Sequence, residues 1–193
     1  KKHWKRSVLL TGPSAAGKSR LAAALVAKGW RHLDGDALAK SLYRPGSRLL
    51  SSVVKAFGKT VLTESKHLDT VRLGEIVFPS LAQRRRLNRL VYPAFLRALR
   101  AKLRLGSRPW VADVAVYFDA GTPDLGLPVI LVEAPVALRI RRLRAKGLSP
   151  GRAAARARAL RFGPQERRRA DLVLDGRQPL RANVARILHH LGS

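Results

Sequence analysis

The sequence predicts a three-layer α/β domain with five parallel strands, helices on both faces, a helical insertion and an arginine-rich lid. Three observations predict it. Five short apolar runs are continuous rather than alternating, as in strands covered on both faces. Helical stripes separate most of them, so strand and helix alternate and the crossovers are right-handed. The length, 193 residues with 46% hydrophobic side chains, suits one domain with a sizeable core.

The first run, Ser7-Val8-Leu9-Leu10-Thr11, follows a basic arm, residues 1–6, whose Trp4 reads as packing over the first strand. Leu21, Leu25 and Val26 form a helical stripe before the second strand, Trp30 to Asp34. Residues 60–108 then break the rhythm. They carry helical periodicity (Leu87, Leu90, Val91, Phe95, Leu96, Leu99, Leu103) and no clear strand, which predicts a helical insertion over one sheet edge. Strands follow at Trp110 to Val114 and Val129 to Val132. Residues 139–169 form the lid, Leu172 to Leu174 the last strand. A closing helix is striped by Leu180, Val184, Ile187, Leu188 and Leu191. No long linker divides the chain, so residues 1–193 read as one domain.

Composition excludes several classes. Cysteine is absent, which removes disulfide scaffolds, thiolate metal sites and a cysteine nucleophile. No apolar run is long enough to span a bilayer. His189-His190 lacks companions at ligand spacing, so no metal site is read there. Methionine is absent even at position 1, which reads as a processed chain, with the mitochondrial matrix expected over the cytoplasm.

One segment carries chemistry. Gly12-Pro13-Ser14-Ala15-Ala16-Gly17-Lys18-Ser19 matches G-x-x-x-x-G-K-[ST] between a strand and an Ala/Leu-rich helix. Its glycines let backbone N–H groups turn inward around phosphate oxygens, and the helix N-terminus adds partial positive charge. Lys18 supplies charge toward the outer phosphates, and the Ser19 hydroxyl is a Mg²⁺ ligand. ATP or GTP, with Mg²⁺, is the expected cofactor pair. Two carboxylates follow the second strand, in Leu33-Asp34-Gly35-Asp36. Strand ends face the ligand crevice in such sheets, so Asp34 is a candidate for proton acceptance or metal binding. Ordinary turn and N-cap chemistry accounts for the same residues.

With these landmarks the chain resembles the dephospho-CoA kinase family over nearly its whole length. Asp34-Gly35-Asp36-Ala37-Leu38 is similar to that family's Asp-Ala-Asp-x-Ile. Leu68-Asp69 with Leu73-Gly74-Glu75-Ile76-Val77-Phe78 is similar to Leu-Asp-Arg-x-x-Leu-Gly-x-Ile-Val-Phe, and Ala170-Asp171-Leu172-Val173 to a late Ala-Asp-x-Val strand. Asp113 with Phe118-Asp119 resembles Asp-x-Pro-Leu-Leu-Phe-Glu, and Arg142-Leu143, Leu148-Ser149 and Arg156 resemble the lid helices. The resemblance implies a P-loop kinase-like sandwich in which ATP phosphorylates the 3′-hydroxyl of dephospho-CoA. It implies catalytic roles for Asp34, Lys18 and Arg142, with Mg²⁺ held by Ser19 and Asp36. The departures fall on the acceptor side. Thr70 stands where the family has Arg, Tyr92 where it has His, Leu160 where it has a lid Gln, and Gly176 where it has a late Asn.

Charge adds a second expectation. Lys and Arg number 39 against 12 acids, a net +27, and Arg outnumbers Lys 28 to 11. ATP and dephospho-CoA together carry roughly −6, which a handful of side chains neutralises, whereas a polyphosphate backbone uses many more. No acid lies between Glu75 and Asp113, or within residues 134–165. Arg84, Arg85, Arg86, Arg89, Arg97, Arg100, Arg104, Arg167, Arg168 and Arg169 are therefore the candidate RNA contacts. The leading expectation is a nucleotide-binding, RNA-bound subunit or assembly factor of a ribonucleoprotein such as a mitochondrial ribosome, with a weakened acceptor site. The alternative is an active dephospho-CoA kinase with a basic surface.

Overall fold

The computed structural model describes residues 6–77, 79–115, 117–118, 125–159 and 162–192. Trp4, Asp119 and Leu160 lie outside the described residues. The chain divides into two compact units, one of Lys1–Asp34 with Gly106–Ser193, the other of Gly35–Leu105.

The first unit is built on a sheet of β1 (Val8–Thr11), β2 (Arg31–Asp34), β3 (Trp110–Asp113), β4 (Val129–Glu133) and β5 (Leu172–Asp175). The strand order is β2-β3-β1-β4-β5 and every pairing is parallel. The five predicted strands are all present. Central strands are continuous apolar runs because both their faces are covered: Val8, Leu10, Ile130 and Val132 point to one face, while Leu9 and Leu131 point to the other and are equally buried. The first face is covered by α1 (Lys18–Val26) and α9 (Leu180–His190), whose Leu21, Leu25, Val184 and Ile187 complete the core.

Two expectations change at the margins. β2 is an edge strand, so only its Leu33 is buried while Arg31, His32 and Asp34 face solvent. The Arg31 guanidinium sits 4.0 Å from the ring centroid of its cross-strand neighbour Trp110, shielding that flank. Val26 stands off the α1 stripe and is 42% exposed, because it lies about 100° around the helix from Leu25.

The lid segment holds α6 (Val136–Ala145), α7 (Pro150–Arg158) and α8 (Pro164–Arg169). Leu143 of α6 and Ala153 and Ala157 of α7 form a small buried cluster with Ala15 packed against it. Ala153 and Ala157, small residues one turn apart on the same face of α7, let the two helices approach closely.

The second unit is helical throughout: α2 (Gly35–Ser41), α3 (Arg48–Phe57), a short 3₁₀ turn at Lys59–Val61, α4 (Thr70–Val77) and α5 (Leu81–Leu103). It begins at Gly35, earlier than the 60 read from periodicity, because α2 and α3 pack into the same cluster as α5. Leu49, Val53, Val61, Leu73 and Val77 are its buried centre, and burial pushes the Tyr43 phenol at its border up to about 12. α5 continues through Pro93, which removes one backbone donor from the middle of a 23-residue helix.

Asp69 starts α4. Its Oδ1 accepts from the N–H groups of Val71 and Arg72 at 3.0 and 3.1 Å, and its Oδ2 lies 3.3 Å from the Arg72 guanidinium. Asp69→Ala is expected to cost about 1 kcal/mol, the usual value of an N-cap. Asp69→Ser should restore most of it. Thermal unfolding of the three proteins checks the order.

Candidate active site

The phosphate loop begins where β1 ends. Gly12 takes φ +134 and Gly17 φ +127, conformations that side chains other than glycine rarely adopt. At Gly12 a Cβ would lie 2.1 Å from the Val132 carbonyl oxygen, so the turn needs glycine for space as well as for dihedrals. Ala15 also takes a positive φ, +61. A non-glycine residue pays strain there, and its packing against the lid cluster holds it. Gly17 gives α1 no side-chain cap, so the first N–H groups of α1 are left for an anion.

Lys18 is 8% exposed. Its Nζ donates to the Gly12 and Pro13 carbonyl oxygens at 2.9 and 3.3 Å and lies 4.0 Å from Asp113 Oδ1. The ammonium is thus aimed at the mouth of the loop instead of extended into solvent. Ser19 occupies the second position of α1, with its side chain exposed.

Asp34 and Asp113 are cross-strand partners at the carboxyl ends of β2 and β3, and Asp113 in turn aligns with Leu10 of β1. Strands lie about 4.8 Å apart. Asp113 therefore stands one strand from the loop and Asp34 two, about 5 and 10 Å across. Asp113 is the carboxylate beside Lys18, a place the sequence reading had not given it in the site. Its signal was the one that picked out Asp34: an acid at the carboxyl end of a predicted strand.

Arg142 of α6 has a positional task. Its Nη1 donates to the carbonyl oxygens of Ala15 and Ala16, both at 3.0 Å, and its Nη2 to the Gly176 carbonyl at 2.7 Å. One guanidinium thereby ties the phosphate loop to the turn after β5. At Gly176 a Cβ would meet the Ala16 carbonyl oxygen at 2.0 Å and the Glu133 oxygen at 3.1 Å. The glycine at the family's asparagine position is thus a packing requirement of this chain. Asn183 of α9 secures the same turn, donating from Nδ2 to the Asp175 carbonyl at 2.8 Å.

The remaining site candidates belong to the helical unit. Asp36 falls in the first turn of α2, in the helical unit. Thr70 opens α4, and Tyr92 is half-buried in α5. No cluster of three or more His, Asp or Glu side chains with metal-holding geometry occurs among the described residues, and no helix there is long and apolar enough to cross a membrane.

Residues 6–181 match the family model described as dephospho-CoA kinase. The dephospho-CoA kinase of Thermobifida fusca is 34% identical over 189 residues, covering 94% of each chain. That of Bacillus licheniformis is 32% identical over 187 residues, covering 94% of this chain and 92% of its own. The solved dephospho-CoA kinase of Campylobacter jejuni superposes with a TM-score of 0.68 at 18% identity, covering 96% of both chains, which supports the fold.

These likenesses overturn the expectation of an RNA-bound ribonucleoprotein subunit with a weakened acceptor site. The relatives named dephospho-CoA kinase align with this chain over about nine-tenths or more of both lengths. The named arginines are accounted for as surface. Arg84, Arg85, Arg89, Arg97, Arg100, Arg104, Arg168 and Arg169 are exposed on helix faces. Arg86 lies 5.6 Å over the Phe57 ring, and Arg167 is held by Glu133 with Nε 2.8 Å and Nη2 2.5 Å from Oε2. Net charge is a sum over the chain. Solvated arginines raise it without any of them meeting a phosphate backbone.

Proposed function

The chain belongs to the dephospho-CoA kinase family, and from that premise we propose that it transfers the terminal phosphoryl group of ATP to the 3′-hydroxyl of dephospho-CoA. The observation that carries the proposal is the end-to-end likeness to kinases of that name in a chain that keeps the complete Gly12–Ser19 loop.

The geometry supports the following roles. Backbone N–H groups of the loop and of the first turn of α1 hold the phosphates, and Lys18 trades its bonds to the Gly12 and Pro13 carbonyls for phosphate oxygens. Asp34 accepts the 3′-hydroxyl proton as the oxygen attacks phosphorus. The new O–P bond forms as the bond to the bridging oxygen breaks, and ADP leaves with that electron pair. Asp113 holds the Lys18 ammonium in register. Mg²⁺ suits the donors present, an exposed Ser19 hydroxyl and the strand-end carboxylates, since the ion takes oxygen ligands and keeps several waters. When bound it would neutralise charge developing on the phosphates. Arg142 keeps the loop shaped for the nucleotide, and ATP over GTP is part of the proposal.

The test is ADP formation from ATP and Mg²⁺ with and without dephospho-CoA. Turnover dependent on dephospho-CoA at about 1–100 s⁻¹ is expected. Lys18→Ala should lower it by about a hundredfold or more, since it removes the only charged side chain the loop offers the phosphates. ADP formation indifferent to dephospho-CoA would refute the acceptor. Unchanged turnover in Lys18→Ala would refute the site.

A further inference from the structure

The α/β unit holds a second concavity to which the roles proposed above assign nothing. It is a cavity of about 720 Å³ at the open edge of β5, roofed by α6, α7 and α8, and it shares only Pro13 with the phosphate loop. Its volume falls in the range of small-molecule sites.

The charges around it do not cancel. Both carboxylates in its wall are already occupied. Glu133 is held by Arg167, and Asp175 by Arg177, whose Nε and Nη2 lie 2.8 and 2.6 Å from Oδ2. Three further arginines line the cavity. Arg158 and Arg186 are exposed and have no carboxylate partner among the described residues. Arg139 is the unusual one.

Arg139 is only 6% exposed. Its Nε donates to the Ala134 carbonyl at 2.9 Å and its Nη1 to the Ala157 carbonyl, while Nη2 donates to nothing among the described residues. Two backbone carbonyls fix the direction of the guanidinium but supply no negative charge. A buried cation with neutral partners alone is costly, and such groups are ordinarily paired. Burial accordingly lowers the Arg139 pKa. The guanidinium is held in place in the wall of a cavity, with no ion-pair partner among the described residues. The lining also has an apolar part, Val136, Val173 and the Phe162 ring, which meets Phe118 edge-on at 6.1 Å.

We propose that this cavity binds a phosphate monoester carrying an apolar or aromatic body, with the phosphate bound by Arg139 and Arg158 and the body resting against Phe162. A guanidinium presents two parallel donors to phosphate oxygens, and a dianion compensates two arginines at once. Phosphate is favoured over carboxylate on that count. The aromatic body is favoured by the ring in the wall.

The experiment uses full-length protein carrying Lys18→Ala, so that the phosphate loop does not contribute. Phenyl phosphate, inorganic phosphate, benzoate and phenol are titrated by calorimetry. Phenyl phosphate should bind at one site, more tightly than inorganic phosphate or benzoate, with phenol silent. Arg139→Gln keeps a donor for one carbonyl and should weaken phenyl phosphate by about tenfold to a hundredfold, as removal of a charged hydrogen bond does. Arg158→Ala, at an exposed position, should fold normally and weaken it by about threefold to tenfold. Phenyl phosphate binding in wild type that vanishes with Lys18→Ala would assign the anion to the phosphate loop and overturn the proposal. So would binding that neither arginine variant weakens, or equal affinity for phenol. Kinase turnover is not read in this experiment, so its outcome is independent of the reaction proposed above.

Discussion

Asp34→Asn is expected to lower phosphoryl transfer to dephospho-CoA by about 10²–10⁴-fold, the usual worth of a positioned general base, while ATP affinity stays within about threefold. The two effects separate because of where Asp34 sits. It ends β2, two strands from the loop that holds the phosphates, and the Lys18 bonds to the Gly12 and Pro13 carbonyls and the contact with Asp113 do not use its carboxylate. Asparagine is nearly isosteric with aspartate but does not accept the hydroxyl proton. The alternative base is Asp113, and its geometry argues against it. Its carboxylate faces Lys18 at 4.0 Å and is engaged in positioning that ammonium. Asp113→Asn should therefore act through Lys18, raising the KM for ATP along with lowering kcat. Single-turnover and steady-state kinetics on both variants check this. A drop confined to kcat in Asp113→Asn, with Asp34→Asn near wild type, would exchange the two roles.

Gly12→Ala should have the largest effect on the fold. The added Cβ would sit 2.1 Å from the Val132 carbonyl oxygen, and both atoms belong to backbone that has little room to move between paired strands β1 and β4. The φ of +134 adds strain of order 1–3 kcal/mol by itself. A total loss of about 3–4 kcal/mol is expected, which for a chain of this length lowers Tm by roughly 6–16 °C, together with loss of nucleotide binding. Gly147→Ala is the control. It has φ +88 but no neighbour within 4 Å of the added Cβ, so only the dihedral strain is paid. Calorimetric scans of both variants, with and without ATP and Mg²⁺, decide the matter. Equal Tm losses would mean that the clash at Gly12 relaxes freely.

Much of this was legible before any coordinates. The strands were readable because parallel strands under helices must be apolar on both faces, and the loop because phosphate binding demands glycine, lysine and serine at fixed spacing. Boundaries slipped where that logic weakens. β2 contains Arg31 and His32 because it is an edge, and the helical unit begins at Gly35 because α2 and α3, whose stripes are short, join a cluster assembled mostly by later residues. The charge reading failed for a different reason. The acid-free stretches are real, but most of the arginines named as RNA contacts lie exposed, and Arg167, just past the second stretch, is already paired with Glu133.

The sequence by itself determined the class of the fold, the phosphate loop, the strand-end aspartates and the family, because each is written in local pattern: apolar runs, motif spacing and the order of landmarks. Only the tertiary structure decided what the arginines do. Arg142 spans from α6 to carbonyls at Ala15, Ala16 and Gly176, up to 127 positions away. Arg139 is buried against Ala134 and Ala157 with no acid beside it. In the sequence the two stand three residues apart in one basic run and look alike. A guanidinium's role is set by the dielectric around it and by the partners within about 3 Å, and both are products of packing between segments remote along the chain.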